Sequence, residues 1–248
     1  MPATLKVKCL LFDCDNTLVL SEPLAFASCA DLLNEILEKH GRSERFTGPE
    51  LMSTFVGQNF RGMMGSLQEK YGFTMTDAEL DSYVARELEH TVEKLEAAAE
   101  PCAGAIETLE RLQASGKYQL AVVSSSALSR VKASLKKVGM ERFFAPEHVY
   151  SAATSLPVPT SKPNPAIYLH ACKELGFKPE ECVAIEDSKS GATAAKNAKI
   201  PLVGYVGPYE DEEERVKMRK VLSEDCGAVA ILEHWKDFEE VLEKIESA

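Results

Sequence analysis

Apolar positions follow one rhythm up to about residue 98 and another beyond it. A short apolar run, Lys8 to Phe12, ends at acidic residues and predicts a buried strand. Helical spacing then takes over. From Glu22 to Lys39, apolar side chains recur at Phe26, Ala27, Ala30, Leu33 and Leu37, one face of a helix. Ser21 suits its N-cap, Pro23 its first turn and Gly41 its end. Further helices are predicted over Glu50–Phe55, Phe60–Tyr71 and Thr76–Glu96, with no strand pattern between residues 21 and 98.

Past Pro101 the pattern alternates. Helices are predicted at Gly104–Ser115, Leu128–Val138, Pro165–Leu175, Lys189–Ala198 and Lys236–Ile245. Strands are predicted at Gln119–Ser124, Cys182–Glu186, Leu202–Val206 and Ala228–Leu232. Glu210–Glu214 and Glu233–Glu246 read as solvated acidic helix faces. Such alternation implies an α/β fold, a doubly wound parallel sheet of Rossmann-like kind. The expected core is residues 1–20 and 99–248, interrupted after its first strand by an all-helical insert, residues 21–98.

A length of 248 residues accommodates this arrangement. No apolar run reaches the length of a membrane span, and the N-terminus runs into Asp13 without a small-residue cleavage site, so neither a membrane helix nor a signal peptide is expected. The seven cysteines are scattered with no Cys-x-x-Cys pair, which favours free thiols in a reducing, cytoplasmic setting. A net charge of −11 argues against nucleic acid and anionic membrane as partners. Nothing in the pattern announces an interface, so a monomer is the default.

Ligands of open parallel sheets bind beyond the carboxyl ends of the strands, and four such places carry polar groups. Asp13 and Asp15, at i and i+2 after the first strand, can face one site; paired carboxylates suit nucleophilic and acid–base work, or else simply cap the next helix. Ser124, Ser125 and Ser126 offer hydroxyls and amides to an anion, or a plain helix start. Lys162, between turn-forming residues in Thr160–Pro165, could offset phosphoryl charge, or be a solvated loop lysine. Glu186 and Asp187 close an apolar strand as hard oxygen ligands, or Asp187 and Ser188 cap the helix that follows.

Taken together, Asp-x-Asp-x-Thr at Asp13–Thr17, the strand-end Ser124, Lys162-Pro163 and Glu186-Asp187-Ser188-x-x-Gly191 resemble the haloacid dehalogenase-like superfamily, over about Leu10 to Val206. The likeness is to its β-phosphoglucomutase and sugar-phosphate phosphatase subgroup, whose helical cap residues 21–98 would match. Asn16 stands where that family usually has Gly, and Asn tolerates the left-handed backbone of such a turn.

The resemblance implies a Mg²⁺-dependent phosphatase acting on a small phosphorylated metabolite. Asp13 would be the nucleophile forming an aspartyl phosphate, and Asp15 the acid and then the base. Ser124, with Ser125, Ser126 and nearby amides, would hold phosphoryl oxygens, and Lys162 would offset charge on the phosphate and Asp13. Mg²⁺ would be held by Asp13, the Asp15 carbonyl and Asp187, with Glu186 close by. Asp15 also points away from the dehalogenases, which lack an acid there. Selectivity would lie in the insert around Val56–Arg61, with Asn59 and Arg61 as candidates; Arg61 is equally a surface arginine.

Rival readings lie close at hand. The mutase pattern places a histidine ten residues after the second aspartate; Ala25 stands there, which favours hydrolysis. Phosphonate cleavage needs a cap lysine, and Lys39 and Lys70 sit in polar helical contexts. A catalytically idle binding protein would be expected to lose Asp13, Asp15 or Lys162, and all three are present. A terpene-type lyase would want a more aromatic insert.

Overall fold

The computed structural model describes residues 6–55 and 58–247, so Val56 and Gly57 of the Val56–Arg61 segment lie outside the described residues. In chain order, β1 (Cys9–Phe12) and β2 (Val19–Leu20) precede four helices, α1 (Glu22–Lys39), α2 (Gly48–Thr54), α3 (Phe60–Tyr71) and α4 (Asp77–Ala98). There follow β3 (Glu100–Pro101), α5 (Ala105–Ser115), β4 (Gln119–Ser124), α6 (Leu128–Lys137), β5 (Val149–Ser151) and α7 (Ala166–Leu175). The chain continues with β6 (Cys182–Glu186), α8 (Lys189–Asn197), β7 (Leu202–Tyr205), α9 (Glu212–Lys220), β8 (Ala230–Leu232) and α10 (Phe238–Ser247).

Six of these strands form one sheet in the order β5-β4-β1-β6-β7-β8, and each adjacent pair is parallel. This is the doubly wound α/β core that the alternating pattern predicts. Winding runs from β1 outward through β4 to β5, then returns to the other side of β1 with β6. The strand order therefore reverses at β1, and the crevice beyond its carboxyl end is where such sheets bind ligands. All four residues of β1 are buried, as expected for a central strand covered on both faces. Its side chains alternate: Cys9 and Leu11 join the core under α7 and α8, while Phe12 packs against Phe144, Trp235 and Phe238 on the other face.

The chain divides into two compact units, residues 1–20 with 100–248, and residues 21–99. The second unit is helical throughout its described secondary structure and has its own core, with Leu33, Leu37, Leu51, Met64 and Leu67 fully buried. Its helix starts are written in the sequence. Thr47 and Glu50, and again Thr76 and Glu79, form reciprocal capping boxes that satisfy backbone N–H groups at the ends of α2 and α4. Ser21 holds the N-cap position of α1, but its side chain makes no capping hydrogen bond. Gly41, at φ 69°, stands one residue past the C-cap His40.

Several elements depart from the pattern. Thr76 is a cap, so α4 starts at Asp77 and runs on to Ala98. The last strand starts at Ala230, two residues later than expected. Strands β2 and β3 make a two-residue antiparallel ribbon, too short to leave a periodicity. Helix α9 has no buried residue, hence no apolar stripe to read. No described helix is long and apolar enough to cross a membrane.

Candidate active site

The carboxyl ends of β1, β4 and β6 bring four separated segments together. Asp13 leaves β1 with its N–H bonded to the Ile185 carbonyl at 3.0 Å, so the first acid is tied to β6. Beyond it the chain turns sharply: Asn16 adopts φ 53°, its N–H meets the Val19 carbonyl at 2.7 Å, and Leu18 and Val19 both donate to the Cys14 carbonyl. The left-handed turn forms with Asn in place of Gly. Ser124 ends β4, and Glu186 ends β6 with Asp187 directly after it. Lys162 comes in on the loop after β5, where its backbone N–H donates to the Ser125 hydroxyl at 3.1 Å.

The ammonium of Lys162 is almost wholly enclosed, with 3% of its side chain exposed. It has three acceptors: Asp13 Oδ1 at 2.6 Å, Glu186 Oε1 at 2.6 Å and the Val123 carbonyl at 2.7 Å. An ammonium has three protons, so each is placed within the protein. The Asp15 carboxylate accepts from the Ser126 hydroxyl at 2.7 Å and the Ser124 hydroxyl at 3.3 Å. Ser124 Oγ in turn accepts the Ser126 N–H at 3.0 Å. The Thr17 hydroxyl donates to Asp187 Oδ1 at 3.2 Å, and Thr17 is itself anchored by the Trp235 indole N–H on its carbonyl.

Charge at the centre is unbalanced. Asp13, Glu186 and Asp187 are buried, and each offers a carboxylate oxygen within 4.8 Å of the others. At 4 Å, each like-charge pair costs about 4 kcal/mol at an effective dielectric of 20. Burial is the main force pushing the Asp13 carboxyl above its ordinary range; the Lys162 charge pulls it down, while Glu186 and Asp15 push it further up. Burial acts on Lys162 in the opposite sense, yet the charges of Asp13 and Glu186 outweigh it and hold the ammonium above its usual value. One lysine cannot neutralise this set. The donors are hard oxygens, and Glu186 Oε2 is buried without a hydrogen-bond partner among the described residues. Both features fit a divalent cation of the Mg²⁺ type.

One residue at this site, Tyr168, escapes the motif reading, and one inside the motif, Gly191, gains a steric cause. Tyr168, fully buried on α7, donates its hydroxyl to Glu186 Oε1. Gly191, in the first turn of α8, lies so close to Glu186 that a Cβ there would overlap the carboxylate. Tyr168 falls on the helical stripe with Ile167, Ala171 and Cys172 and reads as core; only the fold brings it to Glu186.

Asn59 and Arg61 belong to the helical unit. Within that unit Asn59 Oδ1 caps α3 by accepting the Gly62 N–H at 2.9 Å, and Arg61 pairs with Asp81.

Residues 7–199 match the family model described as haloacid dehalogenase-like hydrolase. A 6-phosphogluconate phosphatase of Escherichia coli is 25% identical over 197 residues, 78% of this chain and 80% of that one. A phosphorylated carbohydrates phosphatase of Thermotoga maritima is 28% identical over 227 residues, 91% of this chain and 94% of its own. Among solved structures, a HAD family hydrolase from Deinococcus radiodurans with bound phosphate and sodium superposes with a TM-score of 0.69 at 25% identity, covering 97% of each chain.

Proposed function

The chain belongs to the haloacid dehalogenase-like hydrolase family, and from that premise we propose that it is a Mg²⁺-dependent phosphatase of a small phosphorylated metabolite, a sugar, polyol or sugar-acid phosphate. The observation that carries the reading is the contact of Lys162 with Asp13 at 2.6 Å inside a buried cluster of three acids. An isolated surface aspartate would not need such a partner; a nucleophile held in place at a strand end does.

In the first half-reaction an Asp13 oxygen attacks phosphorus and the ester oxygen leaves, taking a proton from the Asp15 carboxyl. In the second, Asp15 takes a proton from the water that attacks the same phosphorus, releasing phosphate and restoring the Asp13 carboxylate. The Ser126 and Ser124 hydroxyls steady Asp15 for both transfers. Phosphoryl oxygens are assigned to the Ser124–Ser126 segment at the end of β4: the Ser125 hydroxyl, which accepts the Lys162 N–H, keeps its proton for them, whereas the Ser124 and Ser126 hydroxyls would have to turn from Asp15 to reach them. Lys162, with its three protons committed to the protein, orients Asp13 and offsets its charge. When bound, Mg²⁺ supplies the positive charge that the acidic cluster lacks, held by Asp13, Asp187 and the Asp15 carbonyl with Glu186 close by.

Residues 21–98 are the proposed cap, and substrate selectivity is assigned to them. The absence of histidine at position 25 supports hydrolysis over phosphoryl return to a bound sugar. The names of the relatives, phosphatases of 6-phosphogluconate and of phosphorylated carbohydrates, support the substrate class. The test is phosphate release from a panel of phosphorylated sugars, polyols and sugar acids, with and without Mg²⁺, beside Asp13→Asn. Turnover that requires both Mg²⁺ and Asp13 is the expected result; a silent panel, or turnover that survives Asp13→Asn, overturns the proposal.

A further inference from the structure

We propose that Tyr168 is a positioning residue of this site: its hydroxyl, through Glu186, sets the ammonium of Lys162 against Asp13. The inference rests on the phosphatase reading and adds a side chain that lies outside the four motifs.

Tyr168 is the third residue of α7 and is fully buried. Its helix neighbours Ile167, Ala171 and Cys172 are buried with it in an apolar cluster. A phenylalanine would satisfy that surrounding. A hydroxyl there must find a partner, and it finds the carboxylate of Glu186.

The bond falls on a particular oxygen. Glu186 Oε1 accepts both the Tyr168 hydroxyl and the Lys162 ammonium, the latter at 2.6 Å. Lys162 Nζ also lies 5.2 Å from the centre of the Tyr168 ring, within cation–π range. Tyr168 therefore touches the lysine twice, once through Glu186 and once through its ring. Glu186 Oε2 has no hydrogen-bond partner among the described residues, so the two donors on Oε1 are the polar contacts that fix the carboxylate. Without the hydroxyl, one of those two anchors is gone. Glu186 can then turn, and the ammonium it holds moves relative to Asp13 Oδ1.

The kinetic consequence is specific. All three protons of Lys162 are committed to protein acceptors, so the loss falls on the alignment of Asp13 rather than on the grip on substrate. Misplacement on the ångström scale lowers turnover by about tenfold to a hundredfold.

The test compares Tyr168→Phe, Glu186→Ala and the double variant, using the best substrate of the panel with Mg²⁺. Tyr168→Phe should lower kcat by about tenfold with KM changed less than about twofold. In the Glu186→Ala background, where the hydroxyl has lost its acceptor, the same change should have less than about a twofold effect, because the two residues act as one unit. A purely structural tyrosine would lower the melting temperature and give the same factor in both backgrounds. A second measurement needs no substrate. In ¹⁵N-lysine-labelled protein, the enclosed Lys162 ammonium should give a slowly exchanging signal with cross-peaks to the Tyr168 ring. Absence of those cross-peaks, an unchanged kcat, or equal losses in both backgrounds overturns the inference. If no phosphorylated compound is turned over, the phosphatase reading fails; the cross-peaks then test the Tyr168–Lys162 contact alone, and a Lys162 ammonium signal left unchanged by Tyr168→Phe overturns the inference.

Discussion

Gly191 leaves open the space that the Glu186 carboxylate fills: a Cβ at position 191 would sit inside that carboxylate's van der Waals envelope. The first turn of α8 can approach the end of β6 this closely only because the residue facing Glu186 has no side chain. The spacing of Glu186 and Gly191 in the Glu-Asp-Ser-x-x-Gly motif thus has a steric cause, separate from any role in chemistry.

Helix propensity alone would recommend Gly191→Ala, since Ala is better than Gly inside a helix by about 1 kcal/mol. The opposite outcome is expected here. The methyl group must displace a buried carboxylate that holds Lys162, so the variant should be less stable than the parent and at least about tenfold slower. Thermal melting and the rate of phosphate release together check this. A stabilised, fully active variant would show that Glu186 moves freely.

Lys162→Met keeps much of the side-chain bulk and removes the charge. Asp13 and Glu186 then remain buried without their shared cation. Breaking a buried pair in this way costs about 3–5 kcal/mol. The expected readout is a fall in melting temperature of roughly 10 °C, at about 2–4 °C per kcal/mol for a chain of this size. Added Mg²⁺ should recover part of it by supplying positive charge to the same carboxylates. Calorimetry with and without Mg²⁺ separates the two terms.

Thr76→Ala removes half of a capping box in the helical unit: the Thr76 hydroxyl accepts the Glu79 N–H at 3.2 Å, and Glu79 answers on the Thr76 N–H at 3.0 Å. The expected loss is about 1 kcal/mol. Turnover per folded molecule should be unchanged, because the box lies at the exposed start of α4. Urea unfolding beside a kinetic assay checks both parts.

How much of this was readable in the sequence depends on how local each cause is. Helix α3 keeps its expected bounds because Asn59 caps it at one end and Gly72, in the left-handed conformation, closes it at the other. Strands β4 and β6 keep theirs because both are unbroken apolar runs ended by polar residues. Strand β5 left no signal: Val149–Ser151 is three residues long and is a strand only through its pairing with β4. The same divide runs through the site. Asp13, Asp15, Lys162 and Asp187 stand out as charged residues at turn positions. Tyr168 and Trp235 look like core from their neighbours, and only tertiary packing sets them on Glu186 and on the Thr17 carbonyl.

Protons and a metal ion compete for the same buried carboxylates. In the metal-free protein, burial chiefly raises the Asp13 carboxyl, to about 8, with Glu186 and Asp15 adding to the rise and Lys162 opposing it. A carboxyl raised on folding favours the folded state at low pH, and that contribution is lost as pH climbs from the ordinary carboxylate range through about 8. Metal-free protein should therefore lose stability over this window. Mg²⁺ binding needs the ionised carboxylate, so below the raised value it must expel a proton. Apparent Mg²⁺ affinity should climb by up to about tenfold per pH unit there and level off above it. The rise in melting temperature on adding Mg²⁺ should grow with pH over the same window. Titration calorimetry at neutral pH, run in two buffers of different ionisation enthalpy, counts the released protons directly. A value near one, absent in Asp13→Asn, is expected; zero protons released by the parent chain would mean that Asp13 is already ionised without metal, and that the cluster is neutralised by Lys162 alone.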